Sequence, residues 1–235
     1  MDWMELIKNI SIIIASWTAV YGIDQWRREY RGKRQAELAE EVLSLFYEAQ
    51  DAIGHIRNPF AFGGEGASRK AGENETPEEK DAFDKAFVIF ERFKSHQELF
   101  NKIHAIRYRF MAQFGVDSAK PFDNLRNITN EIQVSAQALA QLWARQNRYF
   151  RTGQQEQHHF DQIQKHEAVF WEGLEDSDPI SPKLKQCVAE IETTCRGILS
   201  AKGTLYSVLN YEFPRKHRKK NNPSQVTPAD GLRHR

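Results

Sequence analysis

Apolar positions recur along this chain at helical spacing, and almost nowhere in the alternation that marks a half-buried strand. The first segment stands apart by density: Ile10 to Ile23 reads ISIIIASWTAVYGI, without a charge. Beyond it, Leu38, Val42, Leu45, Phe46, Ala49, Ile53 and Ile56 form one helical stripe, which Asn58-Pro59 ends. Thr76-Pro77-Glu78-Glu79 opens the next helix with an N-cap, a first-turn proline and the glutamate of a capping box. Its apolar face is read as one run through Phe83, Phe87, Phe90, Phe93, Phe100, Ile103, Phe110 and Phe114, to a cap at Gly115. A third helix is predicted over about 121–150, with Leu125, Ile128, Ile132, Leu139 and Leu142 inward. A fourth covers roughly 155–174, with Phe160, Ile163, Phe170 and Leu174 inward. A fifth starts at Ser181-Pro182 and runs through Leu184, Val188, Ile191, Cys195 and Ile198 to about Tyr211.

Short connections make antiparallel neighbours of such helices. The predicted fold is all-α: an N-terminal transmembrane helix continuing into a cytoplasmic antiparallel bundle of four to five helices. Three parts follow: an anchor with a basic juxtamembrane segment over 1–34, the bundle over 35–212, and a tail over 213–235. The tail is polar, basic and proline-containing, the composition of a disordered segment.

Fourteen uncharged residues suit a buried core helix as well as a span, so the flanks decide. Trp3 and Trp26 bracket 24 residues, about 36 Å of helix, which sets one indole near each interface. Lys8 can snorkel to the outer headgroups. A cleaved signal would need a basic start and a small-residue cleavage site, whereas this start carries Asp2 and Glu5. After the span come Arg27, Arg28, Arg31, Lys33 and Arg34, a cluster that places the N-terminus outside and the body in the cytoplasm. The same cluster would attract anionic lipid headgroups. Ser11, Ala15, Ala19 and Gly22 share one stripe of the span, where a second helix could approach closely and make a homo-oligomer.

Charge sharpens this division. The formal net charge of +1 hides +2 in residues 1–34, +6 from Phe213 onward and therefore −7 between them. A mildly acidic body between basic ends argues against nucleic acid as a partner. In the tail, Arg215, Lys216, Arg218, Lys219 and Lys220 resemble a nuclear-import run, but beside a membrane anchor they read as a second patch for the anionic surface, or as a solubilising tail. Cys187 and Cys195, eight residues apart on one helix, are separated by about 12 Å of rise, too far for a disulfide, so they read as buried thiols.

The most unusual stretch is the loop NPFAFGGEGASRKAGENE, from Asn58 to Glu75, which is long for a bundle connection. It reads as a flexible linker, as a partner-binding loop built on Gly63, Gly64, Glu65, Gly66, Arg69 and Lys70, or as an anion site in which backbone amides join the two cations. It lacks the spacing of a phosphate-binding loop, and no strand precedes it. Glu156-x-x-His159 has the spacing of two metal ligands on one helix face, but a second such pair is missing and no metal or cofactor is expected. No G-x-S-x-G, H-E-x-x-H or C-x-x-C occurs, and no catalytic residue is assigned. Glu91, His96, Glu98 and His104 on the Phe-rich helix read as a structural network that Arg107 and Arg109 neutralise.

The stretch AELAEEVLSLFYEAQDAIGHIRNPFAFGGEG, with ETPEE and RYRFMAQFG further on, resembles a family of bacterial membrane-anchored proteins over roughly residues 5–200. The resemblance implies a bacterial inner membrane and transfers no functional residue. The expected function is a membrane-tethered helical interaction module, a scaffold or sensor acting through protein binding. Its rivals are a membrane-perturbing effector, as in phage defence, that acts by oligomerising, and an enzyme whose site the sequence does not display.

Overall fold

A computed structural model describes residues 3–60, 63–145, 150, 152–173 and 178–200. Among these residues the chain is entirely helical, with six α-helices and no strand: α1 (Trp3–Ile56), α2 (Pro77–Ser95), α3 (Gln97–Phe114), α4 (Lys120–Ala144), α5 (Gly153–Phe170) and α6 (Ser181–Leu199). A short 3₁₀ turn, Val116–Ala119, joins α3 to α4.

The first helix runs for 54 residues without a break, about 80 Å at 1.5 Å per residue. Gly32 lies inside it and does not interrupt it. Its N-terminal part is exposed: Trp3, Ile10, Ile12, Ile13, Ile14, Trp17, Val20, Ile23 and Trp26 all face solvent. Among the described residues it is the one helix long and apolar enough to cross a membrane, by length and composition. From Leu38 onward the same helix changes role, and Leu38, Val42, Phe46, Ala49, Ile53 and Ile56 are buried in the bundle core.

Paired contacts fix how the bundle closes. Arg109 on α3 reaches Glu41, while His96 at the head of α3 meets His55, so α3 runs antiparallel to α1. Leu184 near the start of α6 shares a cleft with Ile53, and Arg196 near its end interacts with Tyr47, so α6 is antiparallel to α1 as well. Phe122 of α4 enters between them: its ring stands 5.0 Å from Phe46 and 5.6 Å from Phe110. Each such aromatic pair adds about 0.5–1.5 kcal/mol beyond the area it buries. The capping box predicted at Thr76 and Glu79 is present, with each side chain bonded to the other's backbone amide.

Four readings need correction. The Phe-rich helix is two helices, broken at His96, whose backbone (φ −102°, ψ 10°) leaves helical geometry. On its first half the deepest positions are Ala82, Ala86, Val88, Ile89 and Phe93, while Phe83, Phe87 and Phe90 are half-buried. The third predicted helix stops at Ala144, and Phe150 is not helical. Phe160, expected inward, is exposed on α5. Leu174, the predicted extension of the last helix from 201 to Tyr211, and the basic tail fall outside the described residues.

Two arginines lie inside the bundle, each against a helix end. Arg57, 1% exposed, donates to the carbonyls of Ala168, Val169 and Trp171 at the C-terminus of α5, and forms a two-pronged pair with Asp178 at 2.9 and 3.0 Å. Arg92, 4% exposed, donates to the carbonyls of Ile56, Asn58 and Phe60 as α1 ends, and to Glu65 at 2.7 Å. The last carbonyls of a helix lack intrahelical donors and carry the negative end of its dipole. A buried guanidinium supplies both the donors and the charge.

Candidate functional site

The loop after α1 is not the free binding segment its composition suggested. Gly66 sits buried with φ +86°, and a Cβ there would fall 2.0 Å from the Asp84 carbonyl oxygen on α2. This close approach turns the amides of Gly66 and Ser68 onto the Glu91 carboxylate, at 2.6 and 3.2 Å. Backbone amides here do hold an anion, and the anion belongs to the protein. The Ser68 side chain, followed by those amides, holds the Glu91 carboxyl below its ordinary range against the opposing effect of burial. Arg69 is engaged in the same way: it pairs with Glu75 at 2.6 Å and Asp84 at 2.8 Å, and its guanidinium packs over the Phe83 ring. The hydrogen bond from Arg69, then the amide of Gly72, brings the Glu75 carboxyl down to about 2. Glu65 pairs with Arg92. Of the six residues proposed for partner binding, Gly63, Gly64 and Lys70 are exposed, and the other three pin the loop to α2.

The expected pairing on the Phe-rich helices also differs. Glu91 serves the loop, Glu98 pairs with Lys102, and Arg109 reaches back to Glu41. Arg107 pairs with Asp123 at the head of α4. His159 is half-buried beside Phe150, and His166 meets Ser135 at 3.2 Å. Among the described residues no group of three or more His, Cys, Asp or Glu is placed to hold a metal ion. On α1, Ser11, Ala15, Ala19 and Gly22 are exposed along one face, as are Arg27, Arg28, Arg31, Lys33 and Arg34 beyond it. Arg28 pairs within the helix with Asp24. The five basic tail residues lie outside the described segments.

What the sequence did not display is a cleft between α3 and α4. The break at His96 sends α3 along α1, whereas α4 packs chiefly on α2, α5 and α6. The two helices therefore splay and leave a groove of about 450 Å³. Its apolar floor is Phe90, Phe93, Phe100, Ile103, Phe122 and Leu125. Its rim carries Lys94, His104, Arg107 and Arg126 against the single carboxylate of Asp123, with Gln97, Asn101, Thr129 and Gln133 as neutral hydrogen-bonding groups. A concave apolar site with a few convergent polar groups is the usual form of a ligand pocket, and this volume lies within the usual range.

Compared with known proteins, the chain matches no family model, no curated protein and no solved structure. The resemblance to bacterial membrane-anchored proteins therefore rests on the quoted stretches alone.

Proposed function

We propose that this protein is a membrane-tethered helical binding module of the bacterial inner membrane, acting as a scaffold or sensor. In this reading α1 spans the bilayer between Trp3 and Trp26, and the basic run from Arg27 to Arg34 keeps the bundle on the cytoplasmic side. The observation that carries the reading is the groove between α3 and α4. Elsewhere in the bundle, Arg57, Arg69 and Arg92 are all bound within the fold. The groove instead presents an open aromatic floor rimmed by Lys94, Arg107 and Arg126 beside the one carboxylate of its lining, Asp123.

The test is to fill the groove. Thr129, half-buried on its wall, becomes tryptophan, with the exposed Asn127→Trp as control. Full-length protein taken from its own membranes is compared by native mass spectrometry. The module should carry a non-covalent adduct in the wild type and in Asn127→Trp, and lose it in Thr129→Trp. An adduct unaffected by Thr129→Trp would place binding elsewhere.

A further inference from the structure

We infer that the groove takes a small organic anion with a planar apolar body, held by its charged end between Arg107 and Arg126. The inference rests on the groove being the binding site and adds the chemistry of the ligand. Charge supplies the first argument. Three permanent cations, Lys94, Arg107 and Arg126, line the cleft with one acid, Asp123, so the lining carries an excess of positive charge that suits an anionic ligand. Among the described residues neither Lys94 nor Arg126 forms an ion pair, and both are exposed. Arg107 is paired through one terminal nitrogen only, Nη2 with Asp123 at 2.9 Å, while its buried Nε has no hydrogen-bond partner. A guanidinium engaged through one nitrogen keeps a terminal donor suited to an oxygen of a carboxylate, sulfonate or phosphate.

Placement supplies the second argument. Arg126 follows Asp123 by three residues on α4, so the two are neighbours on one helix face, and Asp123 is the residue that Arg107 grips. Both arginines therefore stand at the same end of the cleft, where an anionic head would bridge them. From there the lining of α3 extends from Arg107 back to Gln97, about 15 Å of helix. The rings of Phe90, Phe93, Phe100 and Phe122 supply the surface along that length, suited to offset or edge-on packing of a flat apolar body.

Position supplies the third. The groove lies along the stretch of α3 that runs between the partners of Glu41 and His55 on α1. With the span ending at Trp26, those levels stand about 22–44 Å along an unbroken helix from the bilayer surface. The ligand is accordingly drawn from the aqueous phase, not from the lipid.

The probe is 2-naphthoate, with 2-naphthamide as its uncharged isostere. The protein is the full chain in phosphatidylcholine nanodiscs, with empty nanodiscs subtracted, and binding is read by saturation-transfer NMR and by titration. Wild type should bind 2-naphthoate. The amide, and the naphthoate on Arg107→Gln/Arg126→Gln, should bind roughly tenfold or more weakly, as loss of charge-assisted hydrogen bonds implies. Lys102→Gln, which removes an exposed cation outside the groove, should change nothing. Equal binding of acid and amide, or full binding by the double variant, overturns the inference. So does failure of both probes to bind. If both fail while Thr129→Trp still strips the native adduct, the groove remains the site and only the ligand class falls.

Discussion

Nδ1 of His55 and Nε2 of His96 stand 3.2 Å apart where the end of α1 meets the break between α2 and α3. One ring must donate and the other accept, so the contact requires at least one neutral imidazole. Burial first, and then the nearby His55, holds His96 below the ordinary histidine range, while Glu48 pulls weakly the other way. A histidine whose folded value is depressed binds fewer protons in the folded than in the unfolded state as pH falls below about 6.5. Its contribution is complete above that value and is lost on acidification. Melting temperature should therefore fall between pH 7.5 and 5.5, and His96→Gln should flatten that part of the profile. An unchanged slope in the variant would mean that the pair does not titrate with folding.

The glycines of the loop should rank by geometry. Gly63 has open space and ordinary backbone, Gly64 has φ +98° with open space, and Gly66 combines φ +86° with the Asp84 backbone at 2.0 Å. Alanine at 63 should be close to neutral. At Gly64 it should cost about 1–3 kcal/mol, the range for a residue held in a sparsely populated conformation. At Gly66 it should cost more than at Gly64, because backbone must also move. Thermal denaturation of the three variants checks the order, and equal effects would mean that the loop is not pinned to α2.

Arg57 and Asp178 should behave as a unit. Arg57→Met leaves Asp178 and three carbonyls without their donor and should cost about 3–5 kcal/mol. Asp178 also accepts from the amides of Ile180 and Ser181 as α6 begins, so it partners backbone donors at the start of that helix. Burial opposes its ionisation, but the hydrogen bonds from Arg57, Ser181 and Ile180 prevail and bring the carboxyl to about 2. A depressed carboxyl stabilises above its unfolded value and loses that contribution as pH falls toward 2. Asp178→Asn should remove the corresponding part of the acid limb in denaturation measured from pH 5 to 2.

Capping and punctuation made several elements legible in advance. Thr76-Pro77-Glu78-Glu79 located the start of α2, Gly115 the end of α3, and the period of Leu38 to Ile56 the buried face of α1. The break at His96 was invisible because neither glycine nor proline marks it and the apolar period passes from Phe93 to Phe100 undisturbed. The loop misled for a related reason. Gly, Glu, Arg and Lys without periodicity read as solvated chain, yet Arg69, Glu65 and Gly66 find their partners on a helix that begins after them. Arg57 and Arg92 look like surface residues until two helix ends are brought against them. The groove depends on the divergence of α3 from α4, a long-range outcome that no local pattern records.

Cys187 and Cys195 are buried and unpaired, and burial pushes their thiols up to about 12 and about 11. A buried thiol held protonated is a poor nucleophile. Neither should react with a maleimide in the native protein at pH 7.5, and both should react after unfolding in guanidinium. Native labelling of either would mean that α6 opens from the bundle.

That silence of the native cysteines allows the central claim, a bundle held on the cytoplasmic face by α1, to be measured with one introduced thiol. Asn127 is exposed on α4. Full-length Asn127→Cys is exposed to a membrane-impermeant maleimide in intact bacterial spheroplasts and again after permeabilisation. Labelling only after permeabilisation is the result predicted here. Labelling of the intact spheroplasts would put the bundle and its groove on the other side of the membrane and contradict the account.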